Sequence, residues 1–275
     1  MKILCPTDFS SASMNAVEYA GKFAQRMNAS ITLLHVQEIP IGEGVNYFSG
    51  EVHESVSEIN KAADLMEALC TRLTDEFKIP CSFNSIASVT TGITKSIADE
   101  AIEYDLTIIG TNGADNLSQY YLGSHSFRVA KKESGPVIIV PEECEFRDIL
   151  NVAFASDCHI GDNIILKQLK NITDVFNPRV RVVHISEKDT ALSREVYKSF
   201  CNLTEDSLNY DQQITFERII HENKAAAIEN FVNKTQADLL ALYMEPHSIL
   251  YRMFHESIIK KLTSYVSFPI LVFHK

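Results

Sequence analysis

No stretch of this 275-residue chain is apolar over the roughly 20 residues that a membrane-spanning helix needs. Basic residues are in short supply as well. Lys and Arg number 25 against 36 Asp and Glu, a net charge of −11. That balance opposes non-specific binding to nucleic acid, whose phosphates require a basic face. The six cysteines (Cys5, Cys70, Cys81, Cys144, Cys158, Cys201) are scattered, with no C-x-x-C pair. Their placement argues against structural zinc and for reduced thiols. Also missing are the G-x-x-x-x-G-K-[ST] phosphate loop, the G-x-S-x-G elbow and any credible catalytic triad. Strand-like Ile3-Leu4 stands where a signal peptide would have its charged and apolar regions, so the expected location is the cytoplasm.

What is present is an internal repeat. Cys5-Pro6-Thr7-Asp8 and Phe154-Ala155-Ser156-Asp157 place their aspartates 149 positions apart, and Leu33–Val36 and Val182–Ile185 share that offset through His35 and His184. Further along, Asp105-Leu106 matches Asp238-Leu239, and Pro136–Val140 matches Pro269–Phe273, both offset by 133. Two copies of this size fit ordinary domains, and the reading divides the chain at 1–144 and 145–275.

Each copy alternates strands and helices. In the first, strands are expected at 3–5, 31–36, 81–87, 106–109 and 137–140. Ala16, Val17, Ala20, Phe23, Ala24 and Met27 recur at helical spacing, with Ser10 or Ser13 as cap. Residues 40–50 read as a loop. Val52, Val56, Ile59, Ala63, Met66, Cys70, Leu73 and Phe77 lie on one face of a long helix. Shorter helices are expected over 92–104 and from Ser124. The second copy predicts strands at 151–155, 180–185, 214–220, 239–243 and 269–273, with helices at 162–176, 190–209, 224–235 and 254–265. Apolar strands joined by helices imply an α/β fold with a parallel sheet covered on both faces. Right-handed crossovers then favour a doubly wound sheet in each copy.

The strand at 106–109 runs into Gly110-x2-Gly113-x9-Gly123-Ser124. Such a loop can approach a phosphate closely, and a helix starting near Ser124 adds unpaired N–H groups and the positive end of its dipole. If strands one and four are neighbours, Asp8 and this loop converge on one crevice at the carboxyl ends of the strands. Asp8 then accepts hydrogen bonds from a base or ribose, or serves merely as a helix cap before Ser10-Ser11. His35 and His184 end equivalent apolar strands, and the structural role is favoured for both. In the second copy the motif positions carry Tyr243, Pro246, Glu256 and Ser257. Pro246 lacks an amide hydrogen. Glu256 would repel an anion by about 1 kcal/mol at roughly 4 Å in water, and by several times that when partly buried. Asp157, Cys158, His159, His247, His255 and Glu256 form no recognised metal motif, so no metal site is assigned.

These residues resemble the universal stress protein family in tandem form, whose nucleotide-binding members show G-2x-G-9x-G-[S/T]. The resemblance covers nearly the whole chain twice. It implies two Rossmann-like, flavodoxin-like sheets of strand order 3-2-1-4-5. The final strands would pair the halves as an intrachain pseudo-dimer, and a homodimer remains open. It further implies ATP, ADP or AMP in the first domain, with or without Mg2+. Pro6, Thr7 and Asp8 would lie beside adenine or ribose, and Val36 against adenine. Ile109, Gly110, Thr111 and Gly113 would line the ribose and α-phosphate, while Gly123, Ser124, His125 and Ser126 would hold the outer phosphates. His125 and Ser126 depart from the family's commoner residues, and an exposed histidine in the first helical turn is the alternative for His125. The expected function is an adenine-nucleotide-binding stress sensor or regulator with an unidentified protein partner and no catalytic residues. A slow ATP hydrolase or adenylyl-transfer enzyme, and a scaffold without nucleotide, are the alternatives.

Overall fold

The computed structural model describes residues 1–38, 51–88, 91–111, 129, 135–159, 161–207, 214–244 and 268–274. They fall into two compact units, one within residues 1–146 and one within 147–275. The first contains β1 (Lys2–Pro6), α1 (Ser11–Met27), β2 (Ser30–Glu38), α2 (Glu51–Phe77), β3 (Cys81–Ser88), α3 (Ile93–Ala101), β4 (Leu106–Thr111) and β5 (Val137–Pro141). The second contains β6 (Asn151–Ala155), α4 (Asp162–Thr173) with a 3-10 turn Asp174–Phe176, β7 (Arg179–Ser186), α5 (Ala191–Ser207), β8 (Ile214–Ile220), α6 (Lys224–Thr235), β9 (Leu239–Met244) and β10 (Ile270–His274). The expected loop at 40–50 and the helices from Ser124 and over 254–265 lie outside the described residues. Among the described residues no helix is long and apolar enough to cross a membrane.

Both sheets are parallel throughout and share one topology. The first unit has the order β3-β2-β1-β4-β5 and the second β8-β7-β6-β9-β10. The strand reversal at β1 and β4, where Ile3 stands opposite Leu106, opens a crevice at the carboxyl ends of the strands. Central strands are apolar because both faces are covered: Ile3, Leu4, Ile108, Phe154 and Leu240 are fully buried. The edge strands depart from that expectation. β3 and β8 bury few side chains, since each has only one neighbour and incomplete helical cover.

The repeat extends to chain terminations. Asn28 (φ 49°) and Asn177 (φ 47°) end equivalent helical segments in the left-handed conformation, and Phe9 (φ 62°) and Cys158 (φ 60°) occupy equivalent turns. Asp105 accepts the Lys2 amide at 2.7 Å, as Asp238 accepts the Leu150 and Asn151 amides at 2.9 and 2.8 Å. At Asn28 the amide donates back to the carbonyls of Ala24 and Gln25, closing α1. Asn28→Ala should therefore cost about 1 kcal/mol in chemical denaturation, whereas Asn28→Gly should be nearly neutral.

Candidate functional site

The crevice of the first unit begins at a turn with little freedom. β1 ends at Pro6, and the Thr7 amide donates to the Leu34 carbonyl at 2.8 Å, continuing the ladder for one residue. The Thr7 hydroxyl lies 3.0 Å from that of Ser13 and accepts the Phe9 amide at 3.1 Å. Nδ1–H of His35 donates to the Thr7 carbonyl at 2.9 Å, and its ring lies 4.9 Å from that of Phe9. His35 thus braces the turn, as the structural reading expected, and its ring tautomer follows from that bond. Ser10, as N-cap of α1, accepts the Ser13 amide. Asp8 stands between these braces. Its Oδ1 accepts the Ser10 amide at 3.0 Å and the Ser10 hydroxyl at 2.6 Å. Burial pushes the Asp8 carboxyl upward, but hydrogen bonds from Ser10 and Ser13 outweigh it and hold the group below its ordinary range. Asp8 is ionised at neutral pH.

Across the crevice, β4 brings up Ile109, Gly110 and Thr111, while α3 supplies Ile93 and Ile97, one turn apart. A cavity of about 210 Å3 lies between these elements, with Leu34 and Val36 of β2 and Ala12 and Ser13 of α1 completing its lining. Its walls are mostly apolar and its polar groups cluster at the 7–13 turn. That arrangement suits a flat, apolar-faced ring system carrying hydroxyls at one edge.

Seven sequence-predicted residues meet here: Pro6, Thr7, Asp8, Val36, Ile109, Gly110 and Thr111 all line the cavity. Gly113, Gly123, Ser124, His125 and Ser126 lie outside the described residues. Ser10 and Ser13 were expected only as caps. Ile93 and Ile97 were legible as an i, i+4 apolar pair, but only tertiary packing aims that pair at the crevice.

Gly110 is expected to let the chain approach a phosphate closely, and packing adds a second requirement. A Cβ at Gly110 would lie 2.3 Å from the Ala12 carbonyl oxygen, 2.7 Å from its carbon and 3.0 Å from the Ser13 nitrogen. Gly110 is also absent from the residues in left-handed backbone. The glycine is therefore demanded by the close approach of β4 to the first turn of α1.

The second unit rebuilds the same turn with different chemistry. Nδ1–H of His184 donates to the Ser156 carbonyl at 2.9 Å, matching His35. Burial lowers the pKa of His184. Asp162 replaces Ser13. It is almost wholly buried, accepts the Ser156 hydroxyl, and receives the His159 amide at 3.3 Å. Burial raises its pKa to about 6 despite those bonds. Tyr243 stands at the position of Gly110 and Gly161 at that of Ala12. A Cβ on Gly161 would lie 3.3 Å from Cε1 of Tyr243 and 3.4 Å from its hydroxyl oxygen. The buried ring thus packs directly on the start of α4. Of the residues weighed as metal ligands, Asp157, Cys158 and His159 are described, whereas His247, His255 and Glu256 are not. Among the described residues no group of three or more His, Cys, Asp or Glu could hold a metal ion.

Comparison with known proteins follows the same division. The universal stress protein family model matches residues 1–141. The chain is 30% identical over 156 aligned residues to universal stress protein MJ0577 of Methanocaldococcus jannaschii, covering 50% of this chain and 93% of that protein. It is 27% identical over 147 residues to universal stress protein MJ0531 of the same organism, covering 50% of this chain and 81% of that one. Along its whole length it is similar in fold to the crystal structure of a universal stress protein from Archaeoglobus fulgidus, with a TM-score of 0.71, 17% identity, and coverage of 100% of this chain and 96% of that chain. With half of its length matched by the family model, and the parallel sheet, crevice and turn that its sequence implied, the chain belongs to the universal stress protein family.

Proposed function

We propose that the first unit binds an adenine nucleotide, ATP, ADP or AMP, and that the protein acts as a nucleotide-responsive regulator in the cytoplasm. The observation that carries this reading is the cavity where Pro6, Thr7 and Asp8 of one strand end meet Ile109, Gly110 and Thr111 of the neighbouring strand end. Adenine packs between Val36 and the α3 isoleucines. The ionised Asp8 accepts ribose or base hydrogens, since a carboxylate fixed at Oδ1 by Ser10 is held in place for that role. Gly113, Gly123, Ser124, His125 and Ser126 take the phosphates through main-chain amides and hydroxyls, with or without Mg2+. The second unit binds no nucleotide, because Tyr243, at the position of Gly110, packs its ring on the start of α4 and Glu256 brings negative charge to the phosphate position. Phosphoryl transfer usually requires a positioned cation beside the phosphates, and no lysine-bearing phosphate loop is present, so binding rather than turnover is the primary activity. A protein partner reads the bound state.

Heat denaturation of freshly purified protein, followed by chromatography of what is released, should yield an adenine nucleotide at up to one equivalent. In calorimetric titration, Asp8→Ala should weaken binding by about 10- to 100-fold, the loss expected for hydrogen bonds to a charged group. Gly123→Glu, which copies the second unit, should abolish binding while leaving the circular dichroism spectrum unchanged. Retained affinity in that variant would remove the phosphates from the loop. Sustained ATP turnover that disappears in Asp8→Ala would replace the regulator by an enzyme.

A further inference from the structure

We propose that Cys70 and Cys81 form a reversible intramolecular disulfide, making the α2–β3 corner of the first unit an oxidation site. The two thiols are eleven residues apart in sequence, on different elements, and no spacing motif announces them. The fold nevertheless brings their Sγ atoms to 3.0 Å, with the Cys81 thiol donating to Cys70. This is inside ordinary sulfur–sulfur contact, and about 1 Å of movement reaches the bonded length near 2.05 Å. β3 is the edge strand of its sheet, so Cys81, its first residue, is covered only in part. The pair opens onto a surface groove of about 480 Å3 whose other walls include Glu67, Thr71, Thr74, Asp75 and Ser82. Cys5, by contrast, is fully buried in β1 and reaches no reagent.

The groove specifies the oxidant. It admits a small molecule, and the carboxylates of Glu67 and Asp75 favour a neutral or cationic disulfide over an anionic one. The Cys81 thiolate attacks one sulfur of that disulfide, the S–S bond breaks, and one small thiolate leaves and takes up a proton. Cys70, after losing its proton, then attacks Cys81 Sγ in the mixed disulfide, and the second small thiol departs. Two protein thiols are oxidised and one small disulfide is reduced to two thiols. Burial pushes both protein thiols upward, the hydrogen bond from Cys81 offsetting this only in part at Cys70. The bridge consequently forms slowly at neutral pH and faster as pH rises. Once formed it resists reduction, because its sulfurs are poor leaving groups.

The test uses the full chain with cystamine as cationic oxidant and dithiodiglycolate as anionic oxidant. Peptide mass mapping of the cystamine product should show one linkage, Cys70 to Cys81, with the thiol count lowered by two from six. The oxidised chain should melt about 5 °C higher, since the bridge closes a short loop in the unfolded state. Cystamine should react several-fold faster than dithiodiglycolate at low salt, and the difference should vanish at high salt. Cys70→Ser should stop at a stable mixed disulfide on Cys81, which shows that Cys70 is the resolving thiol, with a circular dichroism spectrum matching wild type to show that the variant folds. The proposal fails if wild type also stops at the mixed disulfide. It fails equally if Cys70 and Cys81 remain free at pH 8.5, or if they are found bridged to other chains.

Discussion

Gly110→Ala should destabilise the first unit by about 3 kcal/mol and remove with it the nucleotide binding proposed for that unit. The added methyl would stand 2.3 Å from the Ala12 carbonyl oxygen, a main-chain atom that no rotamer change can move aside. Ala12 lies in the first turn of α1, whose N-cap Ser10 fixes Asp8, so the helix cannot retreat without loosening the turn that shapes the cavity. Overpacking in a close-fitted interior costs 1–3 kcal/mol in general, and a clash with backbone puts this case at or above the upper end. Thermal unfolding and calorimetric titration of the same variant measure both losses. Trimming the neighbour offers no cure: Ala12→Gly combined with Gly110→Ala should be no more stable than Gly110→Ala alone, since the clashing oxygen remains. Recovery in the double variant would show that the conflict lies with the Ala12 side chain.

Asp162 provides the second large effect, with an unusual sign. Its pKa rises from about 3.8 to about 6 on folding, chiefly through burial. Below pH 4 the group is protonated in both folded and unfolded chains and costs nothing. Between about pH 4 and 6 the folded chain holds a proton that the unfolded chain has released. Stability of the second unit accordingly falls as pH rises through this window, by about 3 kcal/mol in all, and the full cost persists at pH 7. Asp8 runs the other way. Its lowered pKa contributes stability that is present above the ordinary carboxylate range and is lost as pH falls through the folded value. Asp162→Ser copies Ser13 of the first unit and removes the titrating group. The variant should be more stable than wild type at pH 7 and less stable below pH 4, where wild type carries an uncharged and better-packed side chain. Amide hydrogen exchange across residues 151–186 at pH 4, 5, 6 and 7 isolates the second unit from the first. A variant whose protection tracks wild type at every pH would mean that Asp162 remains ionised at no cost.

The alternation of strands and helices was readable because long periodic runs such as 16–27 and 62–77 have only one face to bury. Boundaries shifted by up to three residues at ends, where capping decides. The helix expected over 162–176, for instance, ends as α4 at Thr173 with a 3-10 turn to Phe176. Edge exposure was not readable. β3 and β8 contain enough apolar residues to pass for interior strands, and only the strand order shows that, among the described residues, no strand lies beyond them. In the crevice, Thr7, Asp8 and Gly110 could be picked out by the repeat and the glycine spacing. Ile93 and Ile97 could not be, because an apolar pair on a helix face carries no mark of what it will face. The thiol pair of Cys70 and Cys81 was invisible for the same reason.

The sequence by itself determined the class of fold, the repeat, the strand ends from which Asp8 and Gly110 project, and the asymmetry between the two copies. These are local and periodic properties, written in neighbouring residues and repeated at fixed offsets. Tertiary structure alone decided that Gly110 is a glycine for the sake of Ala12, that Asp162 is buried enough for its pKa to rise to about 6, and that Cys81 touches Cys70. Each of those depends on which backbone atoms lie within 3 Å or so of a given position. Packing between elements sets that distance, and no spacing along the chain encodes it.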